Sequence, residues 1–393
     1  MQGTSPIRES TNEAVEHEIL ILGAGPAGLA TAGCLIAQGL RPAIIEKSGD
    51  IAAAWRRHYD RLHLHTVKKY SALPGLAFPK EYPRYVPRDK VVEYLASYAA
   101  HFGIVPYLSS QATSLLRAAD GRWQTTTRTG RRFLSTSVVV ATGANNQPST
   151  PVFAGRADYG GQVTHSRSYR NPVPFAGKRV LVVGMGNTGA EIALDLAERG
   201  IATSISVRAP INVVYRDVLG RPTQLTSIAL SRLPAAWGDA IARVLRDLTV
   251  GNLERYGIEL SAVSPLRDLR VHGRTPVIDV GTLARIKAGD IVVRPGIREF
   301  TPDGVGFVDG TRGVFDAIIL STGYHAGIAG LLPEGGLHLD ARGLPLGVAG
   351  DGALAGLFFV GFDIRQPGGL LRTIGKQARE VTGLLARKRV TAP

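Results

Sequence analysis

Two stretches of the chain read strand, then Gly-x-Gly-x-x-Gly, then helix: ILILGAGPAGLATA at 19–32 and VLVVGMGNTGAE at 180–191. Each commits its surroundings to a parallel βαβ unit. The glycines serve a turn between a buried strand and a helix whose free N–H groups and partial positive charge face a bound phosphate. The first glycine permits a tight bend, the second lets the backbone approach a pyrophosphate, and the third lets helix and strand pack closely. In the first stretch these are Gly23, Gly25 and Gly28, with Pro26 and Ala27 inside the turn. In the second they are Gly184, Gly186 and Gly189, with Asn187 and Thr188. The unit occurs twice, and the pattern predicts an α/β fold of two Rossmann-like dinucleotide-binding domains.

The end of the following strand distinguishes the two nucleotides. After the first turn it carries Glu46, followed by Lys47; after the second it carries Arg208. A carboxylate accepts hydrogen bonds from a free ribose diol and repels a 2′-phosphate, whereas a guanidinium binds that phosphate bidentately. The first site therefore reads as an FAD site and the second as an NADPH site. Arg216, in VYRDVLG, is a second candidate for the same phosphate.

A chain of 393 residues has room for two or three domains. Residues 1–17 read as a flexible polar tail. The FAD-binding domain is expected at 18–150 and 316–393, with the NADPH-binding domain, 151–315, inserted into it. Pro148, Pro151, Pro172 and Pro174 mark the crossing, and 222–256 reads as an amphipathic helical insertion within the second domain. The net charge of +14 comes from scattered Lys and Arg, which suits phosphate-bearing cofactors and acidic small substrates rather than nucleic acid. No apolar run reaches the roughly 20 residues of a membrane span, so no integral membrane contact is expected. A single cysteine, Cys34, excludes an internal disulfide and a dithiol relay, and the protein is expected to be cytoplasmic. His58, His63 and His65 lie close together without cysteines or paired carboxylates at ligand spacing, so no metal site is expected.

Between the two turns lies YGGQVTHSRSY, residues 159–169. It resembles the fingerprint of flavin-containing monooxygenases, Phe-x-Gly-x-x-x-His-x-x-x-Phe/Tyr, with Tyr159 in place of the Phe and Gly161, His165 and Tyr169 in register. The similarity runs from about residue 18 to 385 and looks closest to the plant YUCCA branch, the indole-3-pyruvate monooxygenases. The resemblance implies that Trp55 and Arg56 lie beside the flavin and that Thr142 and Gly143 close the FAD site. It further implies that Thr322, Gly323 and Tyr324 contact the interdomain cofactor surface and that Gly361 and Phe362 approach the isoalloxazine ring. His165 is expected to shape the interdomain linker rather than to perform chemistry. Many members carry a Thr-Asn pair before a Lys-Glu; here HTVKK keeps Thr66 and places Val67 at the Asn position. Asn145 is the replacement candidate for hydrogen bonding near the flavin.

The implied activity is an FAD- and NADPH-dependent monooxygenation, in which a C4a-(hydro)peroxyflavin inserts one oxygen atom of O2 into a small organic substrate. Oxidative decarboxylation of an α-keto acid such as indole-3-pyruvate, Baeyer-Villiger oxidation and oxidation at nitrogen or sulfur all stay open. So do an NADPH-dependent flavin reductase passing electrons to a quinone or protein partner, and a flavin-bound binding protein. The 222–256 helices are expected to form a substrate lid or a dimer face, which leaves a homodimer open.

Overall fold

The computed structural model describes residues 14–332 and 339–390. The strand Val15–Leu22 buries its last four residues and pairs in parallel with Ala43–Ile45 on one side and Arg132–Val140 on the other. Trp123–Thr127 and Ala112–Arg117 extend this sheet antiparallel, and Leu357–Phe359 returns parallel to Arg132–Val140. Helices Pro26–Ile36, Arg88–His101 and Leu370–Val390 contribute Leu29, Tyr94, Tyr98 and Ile374 to one core over this sheet.

The second sheet is wholly parallel, in the order Ile291–Arg294, Ala202–Ser206, Arg179–Val183, Ala317–Leu320, Gln162–His165. Its strands are apolar where both faces are covered, as parallel sheets require. Ala317–Leu320 is the clearest case, with all four side chains buried.

That strand corrects one expected boundary. Residue 316 does not begin the return to the first domain, because AIIL pairs on both sides within the second sheet. The return comes at Tyr324–His325, which pairs antiparallel with the outgoing segment Gln147–Pro148, so the two crossings form a short ribbon. Residues 15–17, expected in the tail, belong to the first sheet. Val15–Leu22 is already strand, and residues 1–13 lie outside the described residues.

Residues 222–256 contain two main helices, Thr223–Leu230 and Ala235–Val250, with Pro234 at the N-terminal boundary of the second. Proline has no N–H to donate, so the first helix cannot run through it. Among the described residues no helix is long and apolar enough to cross a membrane.

Candidate functional site

The two glycine turns have nearly the same local geometry. Gly23 and Gly184 sit at φ +110° and +99°, a region that side chains rarely enter. A Cβ on Gly28 or on Gly189 would lie 1.9 Å from the carbonyl oxygen of Gly23 or Gly184. Gly25 and Gly186 cap their helices in extended backbone, and a Cβ on either would meet nothing within 4 Å among the described residues. Open space over a helix N-terminus is what a pyrophosphate needs. A Thr-Gly pair follows the neighbouring strand in each domain, and Gly143 and Gly323 both adopt φ +87° with open space above them. Thr142 Oγ1 and Ser321 Oγ are buried without a hydrogen-bond partner among the described residues. Two cradles with unclaimed polar groups beside them fit two dinucleotides.

At the first site Glu46 is buried. Its Oε2 accepts the Ala24 N–H at 2.8 Å and its Oε1 the Ser48 N–H at 2.9 Å. Each oxygen retains a second lone pair for a ribose hydroxyl. Lys47 donates to Asn146 Oδ1; burial first, and the Arg167 guanidinium next, push its pKa down. Arg56 braces its own loop by donating to the Ile51 carbonyl at 3.1 Å, and the Trp55 ring stands edge-on to His58. Gly361, at φ +89°, seats against Ala27 of the first glycine-turn helix, and its N–H donates to Gln377 Oε1 at 2.9 Å. Phe362 turns into the core with Phe359 and lines a cavity of about 780 Å³.

A larger cavity of about 1390 Å³ brings together expectations from both domains: Thr66, Asn145, Asn187, Thr188, Arg216 and Tyr324 all line it. Asn187 is held by both ends of its amide, accepting the Ile278 N–H at 2.7 Å and donating to the Pro276 carbonyl at 3.2 Å. Arg216 lies 4.1 Å above the Tyr85 ring and 3.4 Å from Asp217. Arg208 does not line this cavity; it is exposed beyond the strand Ala202–Ser206.

The fingerprint segment acts as a brace. Tyr159 donates to the Phe315 carbonyl at 2.8 Å and Tyr169 to Asp195 Oδ2 at 2.7 Å. His165 Nδ1 accepts the Arg167 N–H at 3.1 Å, which leaves Nε2 to donate to the Gly323 carbonyl at 3.2 Å. The neutral Nε2–H ring thus fixes the second Thr-Gly turn, where Thr322 also donates to the Ser149 carbonyl. Burial lowers the His165 pKa and favours that neutral form.

Two further groups had no sequence signal of their own. His65 Nε2 lies 2.5 Å from the buried Glu191 Oε1, to which Tyr59 also donates at 3.2 Å. Gln224 accepts the Val67 N–H at 2.8 Å and donates to the Gly368 carbonyl at 2.5 Å, which joins three segments at the cavity wall. His65 and Glu191 lie at the ends of quoted motif stretches and Gln224 in none, but no motif spacing foretells either pairing, since both span more than 100 residues.

His58 gives the fold an acid limit. Burial first, then the Arg167 and Arg88 guanidinium groups, push its pKa from 6.5 down to about 4, against a smaller opposing pull from Glu191. The unfolded chain takes up this proton near 6.5 and the native state resists it. Stability is therefore full above 6.5 and falls by about 3 kcal/mol as the pH drops towards 4. Unfolding free energies from urea titrations at about pH 7 and about pH 4.5 check this, and in His58→Gln the difference between them should shrink by about that amount.

The chain matches the model of a family described as flavin-binding monooxygenase-like over residues 16–331. It is 39% identical over 360 residues to indole-3-pyruvate monooxygenase YUCCA1 of Oryza sativa subsp. japonica, covering 90% of this chain and 88% of that protein. Among solved structures, a flavin-containing monooxygenase from Stenotrophomonas maltophilia shares the fold with a TM-score of 0.73 at 22% identity, covering 95% of this chain and 99% of that one. OTEMO, solved in complex with FAD and NADP, does so with a TM-score of 0.68 at 17% identity, covering 96% and 87%.

Proposed function

The chain belongs to the flavin-binding monooxygenase-like family, and from that premise we propose that it oxidatively decarboxylates an aryl-substituted α-keto acid of the indole-3-pyruvate type. The enzyme is an NADPH-dependent flavoprotein monooxygenase, with FAD and NADPH as its cofactors. The observation that carries the substrate reading is the 39% identity to an indole-3-pyruvate monooxygenase across 90% of the chain. The cavity supports it. Leu230, Leu266 and Leu370 offer apolar wall for an aromatic body, and Arg216 and Arg274 offer guanidinium groups for a carboxylate.

In the balanced reaction the keto acid, O2, NADPH and a proton give the acid one carbon shorter, CO2, NADP⁺ and water. One oxygen atom enters the new carboxyl group and the other leaves as water. When bound, FAD and NADPH supply the reducing equivalents and the activation of dioxygen. The chain's own work is binding, orientation and exclusion of water. Gly23, Gly25 and Gly28 with Glu46 hold one nucleotide; Gly184, Gly186 and Gly189 with Asn187 hold the other. Asn145 and Thr66 present polar groups to the large cavity. The test feeds the FAD-loaded enzyme NADPH and an arylpyruvate, and follows CO2, the shortened acid and hydrogen peroxide. One acid and one CO2 per NADPH are expected. Peroxide alone, or product from a sulfide or a simple ketone instead, would overturn the reading.

Arg208 is assigned to the 2′-phosphate, with Arg216 in reserve. Loss of one charge-assisted pair costs about 1.5–3 kcal/mol, or about 10- to 100-fold. Arg208→Ala is expected to raise KM for NADPH by that factor and to leave KM for NADH nearly unchanged. Equal shifts for both cofactors, or a selective shift only in Arg216→Ala, would move the assignment to Arg216, which already faces the cavity.

A further inference from the structure

The helix Ala235–Val250 buries an arginine and leaves most of its large apolar side chains outside. Gly238, Arg246 and Val250 are buried, and Arg246 donates to Asn212 Oδ1 at 2.5 Å and to the Ser261 carbonyl at 2.7 Å. Asp239, on the same side, accepts from Arg270 at 2.6 Å. Facing out are Trp237, Ile241, Val244, Leu245 and Leu248, with Trp237 70% and Leu248 78% exposed. A surface helix ordinarily does the reverse. We propose that this stripe is the seam at which a second copy of the chain docks by antiparallel helix pairing about a two-fold axis.

Spacing supports a helix as the occupant. Trp237, Ile241, Val244 and Leu248 recur at intervals of four, three and four residues, the alternation of two packed helices. Area supports it too. The stripe exposes on the order of 600 Å² per copy, so a pair would bury about 1,200 Å², the lower end of stable interfaces. The rim suits two-fold pairing: Arg243 and Asp247 flank the stripe four residues apart, Asp247 accepts from Arg246 at 2.6 Å through Oδ1 only, and with the axis near Leu245 each Arg243 would face the second copy's Asp247 Oδ2. A lipid surface fits less well, because a membrane-seated helix carries its cations on the outward polar flank. Here Arg246 is tied inside and Arg243 lies 3.8 Å from Asp247. The same helix presents Ala242, Arg246 and Thr249 to the large cavity, and Leu245, at the edge of the stripe, lines it as well. Pairing would therefore stiffen a wall of the reaction site.

Sedimentation of the full FAD-loaded chain at micromolar concentration tests this. The wild type should run at twice the chain mass, and Leu248→Glu at the chain mass with unchanged flavin content and far-UV circular dichroism. The second variant Trp237→Glu guards against a local fault at one position. A monomeric wild type, a dimer that survives both substitutions, or a monomer that cosediments with vesicles of anionic phospholipid would each overturn the proposal.

Discussion

Gly28→Ala protein is expected to purify colourless, and Gly189→Ala protein yellow but unable to oxidise NADPH. The added carbon would stand 1.9 Å from a backbone carbonyl oxygen in each case, that of Gly23 or of Gly184. No side chain can swing aside to relieve the overlap, so the turn must open and the helix N-terminus must withdraw from the phosphate. A loss of at least 100-fold in affinity, about 3 kcal/mol, is expected at each site. Gly25→Ala and Gly186→Ala separate geometry from folding. Both residues have ordinary extended backbone and, among the described residues, no atom within 4 Å of the new carbon. Those variants should fold with unchanged stability and lose affinity only because the methyl group occupies the pyrophosphate's place. Absorbance of bound flavin per chain and NADPH titration read both effects. A fully flavinated Gly28→Ala enzyme would show that the first turn does not hold FAD.

Both cradles were legible because a glycine turn is a local device: its spacing, the strand before it and the helix after it all lie within about fifteen residues. The matched φ values of the two turns follow from that locality. What failed was whatever depends on the other side of a contact. AIIL at 317–320 reads as a buried strand, but apolar content does not say which sheet will bury it, and the expected boundary at 316 fell on the wrong side. Helix 235–250 shows the same limit differently. Its periodicity predicts an amphipathic helix, yet periodicity is blind to which face turns in, and Arg246 is held inside by Asn212 and Ser261, partners 34 and 15 residues away. Gln224 offered no signal at all, because a glutamine in a helix is ordinary until its partners are known.

Gln224→Leu is accordingly the variant expected to damage turnover most without touching either cradle. The glutamine joins the Thr66–Val67 loop, its own helix Thr223–Leu230 and the turn at Gly368 and Gly369, all on the wall of the large cavity. Contact there is tight: a Cβ on Gly369 would lie 2.6 Å from Thr66 Cγ2. Leucine keeps the approximate bulk but leaves the Val67 N–H and the Gly368 carbonyl buried and unpaired. Each such orphan costs about 1–3 kcal/mol, so the seam between the segments is weakened by about 3 kcal/mol. An equilibrium between open and sealed cavity would shift by about 100-fold towards open. Water then enters and oxidising equivalents escape as hydrogen peroxide. The expected result is normal flavin content, near-normal NADPH consumption and a sharp rise in peroxide formed per NADPH. Ser227→Ala, which removes a hydroxyl bonded only within its own helix at Gln224's carbonyl, should leave that ratio unchanged. Should peroxide yield in Gln224→Leu equal that of the wild type, the seam does not keep water from the reaction, and exclusion must fall to the cofactors themselves.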